Sequence, residues 1–417
     1  MRPSVLLLLA MAAWAEPVPP SPRIDSLKEA LRQRQCGAVE AFWAEVSANG
    51  GAPLIESPAA LAPDCLTTFL WRGGAATGNV LVRAEAMPGA PAEHVFQHLA
   101  GTDIWFRTYR FRNDARFMYM LSIDDPLTPW EVAGPERMKR YAGLRTDPLN
   151  HHVVSDPRNA CYVSLPQAPS ERWSEERAGI AHGSIRGHKL RSANLSAERS
   201  LEVYATPGFS AGDDVTPVLI FFDGEESKVL LKAPAILDNL YAERLTPPML
   251  AVFLSQPYES RERDLDCSQA TSLFVVDELL PWVRQEYKVH TAAARTVVAG
   301  SSLGGLAAAY AALRHPEAIG RVLSQSGSFW WGKTDFEREW LTAEFKSRPK
   351  VNVKLYLDVG LMETTGGAIS QLQTNRKLRD VLRGKGYETI YREFNGTHSY
   401  PCWRAGLADA LRALLSD

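Results

Sequence analysis

The chain has 417 residues, of which 45% are apolar and 23% charged, with a formal net charge of −2. That length is comfortable for two domains, and the apolar share suffices for a packed core in each. The near-neutral balance excludes nucleic acid or an anionic membrane surface as the principal partner.

Residues 1–15 join one positive charge, Arg2, to a short apolar run and end on Ala13-Trp14-Ala15. This predicts a secretory signal peptide cut before Glu16 and a periplasmic mature protein. The apolar run is too short to serve as a stable membrane anchor. The five cysteines (Cys36, Cys65, Cys161, Cys267, Cys402) are an odd count, so at least one has no partner within the chain. Neither their spacing nor that of the nine histidines is a zinc pattern, and the expected chemistry uses no metal and no cofactor.

Apolar residues at helical spacing, Leu27, Leu31, Val39, Phe42 and Val46, predict one or two amphipathic helices over 24–48, stopped by Asn49-Gly50-Gly51. From 53 to 125 come short β-rich runs at 67–72, 79–83, 104–109 and 116–121, several alternating apolar with polar. They predict an antiparallel β-sandwich. The Pro- and Arg-rich stretch 125–175 lacks periodicity and reads as a long connection, with the domain boundary near 150. From 180 onward strand patterns (201–205, 218–222, 249–254, 296–299, 320–324, 354–358, 389–394) alternate with helical ones. That alternation predicts a mostly parallel sheet with helices on both faces. The expected organisation is a leader over 1–15, a β-sandwich over 16–150 and an α/β-hydrolase domain over 151–417.

Within the second half, the β-branched run Thr296-Val297-Val298-Ala299 leads into Gly300-Ser301-Ser302-Leu303-Gly304 and then an Ala-rich helix pattern. This is G-x-S-x-G between a strand and a helix, the nucleophile-elbow pattern of α/β-hydrolases, with Ser302 as nucleophile. A serine hydroxyl needs a base, and in this fold the order is serine, acid, histidine. His398, on the Gly396-containing loop after the last strand, fits the base, whereas His315 fits the end of the elbow helix. Two carboxylates lie between: Asp358 inside a strand, and Glu363 after the turn at Gly360. A loop carboxylate reaches the imidazole more readily, which favours Glu363 and keeps Asp358 as the alternative. The oxyanion needs two convergent N–H groups. Leu303 supplies one, and the turn after 218–222, through Gly224 and the Glu225 amide, supplies the other.

These residues resemble the enterochelin (ferric-enterobactin) esterases. Similar elements are Phe222–Glu225, Thr296–Ser302, Leu323–Trp331 with its Ser-Gln-Ser-Gly-Ser-Phe-Trp-Trp run, and His398 with Cys402-Trp403-Arg404. In the first half, Leu99–Trp105, Asp147–Asn150 and Leu165–Pro169 match the family's landmarks. The resemblance implies an N-terminal β-sandwich ahead of an esterase-D-like hydrolase domain. It also implies hydrolysis of the trilactone of ferric catecholate siderophores by Ser302, His398 and Glu363, releasing iron, and the leader points to a periplasmic branch of that activity.

A ferric tris-catecholate is a large anion, so its site should offer cations and aromatic faces. Arg261, with Arg263 beside it, follows the strand at 249–254, and Trp330, Trp331 and Trp403 are candidate stacking surfaces. Cys267 and Cys402, each following a loop of the expected catalytic rim, are expected to lie close together and to be linked. The same scaffold supports two other readings: an exported esterase for feruloyl or acetyl groups, and a non-catalytic siderophore- or glycan-binding protein.

Overall fold

The computed structural model describes residues 18–130, 134–154, 159–212, 216–334 and 336–416. The signal peptide expected over 1–15 lies outside the described residues.

Two helices open the described chain, Pro22–Arg32 and Ala38–Ala48. Ser21 caps the first, its hydroxyl accepting from the Ile24 N–H. Eight strands follow: β1 (Leu54–Glu56), β2 (Asp64–Arg72), β3 (Val80–Arg83), β4 (Gln97–His98), β5 (Ile104–Arg112), β6 (Arg116–Ile123), β7 (Val153–Val154) and β8 (Ala160–Ser164). They form two four-stranded antiparallel sheets, ordered β1-β2-β5-β4 and β3-β6-β8-β7. Strand alternation explains the layering. From β2, Cys65 and Phe69 turn into the core between the sheets, with Phe117, Tyr119 and Val163, while Leu70 joins Ile24, Phe42 and Trp43 beneath the helices. Phe69 and Phe117 are fully buried, each contributing roughly 1.5–3 kcal/mol. The pairing of β6 with β8 carries this unit to Ser164, past the boundary expected near 150. The stretch 125–175 is therefore not merely a connection.

The second half is one eight-stranded sheet. Its strands are β9 (Ser184–Ser192), β10 (Ala197–Ala205), β11 (Val218–Phe222), β12 (Leu250–Leu254), β13 (Thr296–Ser301), β14 (Arg321–Gln325), β15 (Lys354–Gly360) and β16 (Glu388–Phe394). The order is β16-β15-β14-β13-β11-β12-β10-β9, parallel from β12 to β16 and antiparallel at the β9–β10 end. Strands β11 to β13 are buried throughout, as the unbroken apolar runs of β11 and β12 and the apolar centre of β13 suit in a sheet covered on both faces. Separate apolar cores line the two faces; the elbow helix Leu303–Arg314 packs in one, and the C-terminal helix Tyr400–Leu415 in the other. Strands β13, β14, β15 and β16 are consecutive neighbours running the same way, so the loops after 301, 325, 360 and 394 emerge side by side. In open α/β sheets this carboxyl edge is where ligands bind.

Candidate active site

Ser302 stands at the tip of the β13 elbow with φ 57° and ψ −122°. A non-glycine residue held there stores on the order of 1–3 kcal/mol of strain, sustained by its surroundings. The Ser302 N–H donates to the Gln325 carbonyl (2.9 Å), and the Ser328 N–H donates to the Ser302 carbonyl (3.0 Å). Gly300 is required by close approach: a Cβ there would lie 2.4 Å from the Gly304 carbonyl carbon. Leu303 begins the 12-residue elbow helix, so its N–H belongs to the first turn, where donors lack intrahelical acceptors and the dipole favours negative charge.

The two residues expected to serve as acid and base lie in contact. Glu363, in the turn after β15, places Oε2 2.6 Å from His398 Nδ1. Its other oxygen accepts from Ser326 Oγ (2.6 Å) and the Gly360 N–H (2.7 Å). The carboxylate is fully buried and the imidazole 30% exposed. Burial alone would depress the His398 pKa, but the hydrogen bond and charge of Glu363, with the charge of Glu85, carry it above the ordinary value despite Arg261. Asp358 does not reach the histidine. It is buried inside β15, accepting from Gln325 Nε2 at 3.1 Å, and burial pushes its pKa up to about 7. His315 closes the elbow helix, 3.4 Å from Ser272 Oγ, as the sequence suggested.

The serine is not yet joined to this pair. Its Oγ lies 3.3 Å from Ser328 Oγ, and among the described residues His398 Nε2 makes no hydrogen bond. Catalytic hydrogen bonds are often loose before substrate binds, and the neighbouring strand ends keep all three groups on one edge.

The turn after β11 differs in detail from expectation. Its left-handed residue is Asp223 (φ 51°), not Gly224, which begins the short helix Gly224–Val229 with Glu225 next. Gly224 is instead required by packing, because a Cβ there would meet the Phe253 carbonyl carbon at 2.4 Å. Arg261, expected to face substrate, forks onto Asp223 through Nε (2.6 Å) and Nη2 (2.7 Å). Its charge is thereby committed to holding the β11 turn. Arg263 is 77% exposed on the side chain and lies 3.6 Å from Asp264.

Trp403 is not a stacking surface for a ligand. It is 4% exposed, lies edge-on to His398 at 4.8 Å between centroids, and donates from Nε1 to Ser326 Oγ at 2.9 Å. On the inward side of the C-terminal helix, it backs the imidazole instead. Trp330 is half-buried after β14, and Trp331 packs on the core against Trp340. Cys267 and Cys402 are both free thiols, and they lie in different surroundings. Cys267 sits in the core beneath the elbow helix, while Cys402 Sγ lies 3.1 Å from the Arg116 carbonyl of β6. The expected link is absent because the two loops face different neighbours.

Three neighbours of these residues escaped the sequence reading: Ser326, which ties Glu363 to Trp403; Ser328, beside Ser302; and Glu85, from the N-terminal sandwich. The two serines belong to the Ser-Gln-Ser-Gly-Ser run that straddles the end of β14, whose density of hydroxyls was the available signal.

Residues 192–414 match the family named Esterase, and residues 66–174 match the N-terminal domain of enterochelin esterases. The chain is 29% identical over 414 residues to an iron(III) enterobactin esterase of Dickeya dadantii, covering 90% of this chain and 93% of that protein. Its fold is similar to the crystal structure of a ferric enterobactin esterase from Salmonella typhimurium, with a TM-score of 0.77, 25% identity, and coverage of 90% and 98% of the two chains. An enterobactin esterase of Shigella flexneri, crystallised in the presence of enterobactin, gives 0.75, 26%, 91% and 98%. With the esterase match spanning more than half of the chain and the characteristic N-terminal domain ahead of it, the chain is an ester hydrolase of the enterochelin esterase family.

Proposed function

We propose that this enzyme hydrolyses the trilactone ester bonds of ferric catecholate siderophores, and that it does so in the periplasm to release iron. Ser302 is the nucleophile. His398 Nε2 takes the seryl proton as Oγ attacks the lactone carbonyl, and Glu363 on Nδ1 fixes the tautomer and stabilises the imidazolium that forms. The Leu303 N–H, with an N–H of the Gly224–Glu225 turn, receives the negative oxygen of the tetrahedral intermediate. His398 then returns its proton to the departing alkoxide, opening the ring. Water, deprotonated by the same imidazole, hydrolyses the acyl-serine and frees the enzyme.

The observation that carries this reading is the 2.6 Å Glu363–His398 contact on the strand edge that presents Ser302. The siderophore assignment is supported by relatives aligned over 90% or more of this chain. The residues to contact the catecholates are not assigned to Arg261 or Trp403, whose side chains are engaged internally; half-buried Trp330 keeps that role in the proposal. The test is mass spectrometry of products after incubation with ferric enterobactin. Linear trimer, dimer and monomer should appear with the wild type and not with Ser302→Ala. Intact trilactone with an enzyme that still cleaves a feruloyl ester would replace the siderophore by a polysaccharide-type ester.

A further inference from the structure

The N-terminal sandwich touches the hydrolase domain at the two loops that carry the acid and the base. The His398 N–H donates to Glu85 Oε2 at 2.8 Å, and Glu85 lies two residues beyond β3 in the sandwich. Three residues earlier in the histidine loop, the Asn395 carbonyl accepts from the Arg116 N–H of β6 at 2.9 Å, and Asn395 Nδ2 donates to Asp114 at 2.7 Å. Met362, immediately before Glu363, packs on the apolar core of the sandwich. The base loop is thus held by a carboxylate and a strand end of the sandwich, and the acid loop by its own Met362 side chain seated on the sandwich core.

From this geometry we infer that Glu85 is a positioning residue for the ester hydrolysis proposed above, and that the sandwich forms part of the acid–base arm. The inference rests on the Ser302–His398 reading of the site. Glu85 acts in two ways. Its hydrogen bond to the His398 N–H fixes where the imidazole sits, and its charge lies close enough to favour the imidazolium. The charged groups that face His398 are Glu363 from the turn after β15, Glu85 from the sandwich, and Arg261 from the short helix Arg261–Leu265, which opposes the two acids. Around Glu85 itself, burial raises the carboxyl pKa, the bond from the His398 N–H and the imidazole charge lower it, Glu363 raises it, and Arg83 lowers it.

The two effects separate in two variants. Glu85→Ala removes both the acceptor and the charge; Glu85→Gln keeps an oxygen for the His398 N–H and removes only the charge. On p-nitrophenyl acetate, Glu85→Ala should lower kcat between about ten- and a hundredfold with KM little changed, because a displaced base fails in the transition state. Glu85→Gln should recover most of that kcat. In both, the rising limb of the kcat/KM profile should move to lower pH, a shift that a purely structural role does not produce. A limb unmoved in both variants, or wild-type kcat in Glu85→Ala, overturns the inference. Ser302→Ala, measured alongside, keeps the two readings apart. If it stays active, the site assignment fails; if it is inactive while the Glu85 variants match wild type, only the positioning role fails.

Discussion

Replacing Glu363 by Gln changes one atom and should nearly silence the enzyme. The carboxylate has two different neighbourhoods: Oε1 accepts from Ser326 Oγ and the Gly360 N–H, and Oε2 faces His398 Nδ1. An amide NH2 cannot occupy the Oε1 place without confronting the Gly360 N–H, so it must turn toward Nδ1. Nδ1 then becomes an acceptor, the ring proton moves to Nε2, and Nε2 loses the lone pair that takes the Ser302 proton. The charge is lost as well. A unit pair about 4 Å apart at an effective dielectric near 20 is worth ~4 kcal/mol, about a thousandfold in rate. With the wrong tautomer added, kcat should fall by about 10³- to 10⁴-fold while KM hardly changes. The assay is kcat and KM on p-nitrophenyl acetate between pH 6 and 9, with a thermal melt to establish folding. A folded Glu363→Gln enzyme within about tenfold of wild type would refute the reasoning, since that is far less than loss of the orienting acid costs.

The pH dependence has a definite sign. Because His398 must be neutral to act and its folded pKa lies above the ordinary 6.5, wild-type kcat/KM should rise with pH through a value above 6.5; a limb below it would contradict the Glu363 contact. By linkage, the stability that this histidine contributes is complete below 6.5 and is lost as pH climbs through the raised folded value. Asp358→Asn should leave ester turnover within about threefold of wild type, as that side chain does not touch the histidine. It should also remove part of the fall in stability between pH 3.8 and about 7, where the folded carboxyl holds a proton that the unfolded one has released; melting temperatures across that window check it. Arg261→Ala should lower kcat/KM on neutral and anionic esters alike and cost on the order of 2–3 kcal/mol of stability, discounted for the partial exposure of the pair, because it strands the Asp223 carboxylate. A loss confined to the anionic substrate would put the guanidinium on the ligand instead.

What could be read from the sequence was the part that chemistry confines to one short segment. Gly300 to Gly304 had to be an elbow because a strand pattern stops and a helix pattern starts within five residues. His398 and Glu363 each follow an apolar run by a few residues, so their place at strand ends came with the strands. The edge strand β9 was missed because Ser184–Ser192 is largely exposed and polar and carries no buried alternation. Strand β8 was missed because it has five residues amid prolines. The partners of the site were invisible for a different reason. Glu85 meets His398 across 313 positions and Arg261 meets Asp223 across 38, and no local pattern encodes such pairs. The same holds for Trp403: a tryptophan five residues beyond the histidine could face substrate or core, and only the orientation of the C-terminal helix turns it inward against the imidazole.

The decisive question is whether Ser302 is an activated nucleophile in a pocket that takes a catecholate trilactone. The most direct measurement is fluorophosphonate labelling of the full protein followed by peptide mass spectrometry, with and without ferric enterobactin present. A single phosphonylated peptide carrying Ser302 is expected, with protection of that serine by the siderophore and no label in Ser302→Ala or His398→Ala. An unlabelled Ser302, or labelling that ferric enterobactin does not slow, would contradict that expectation.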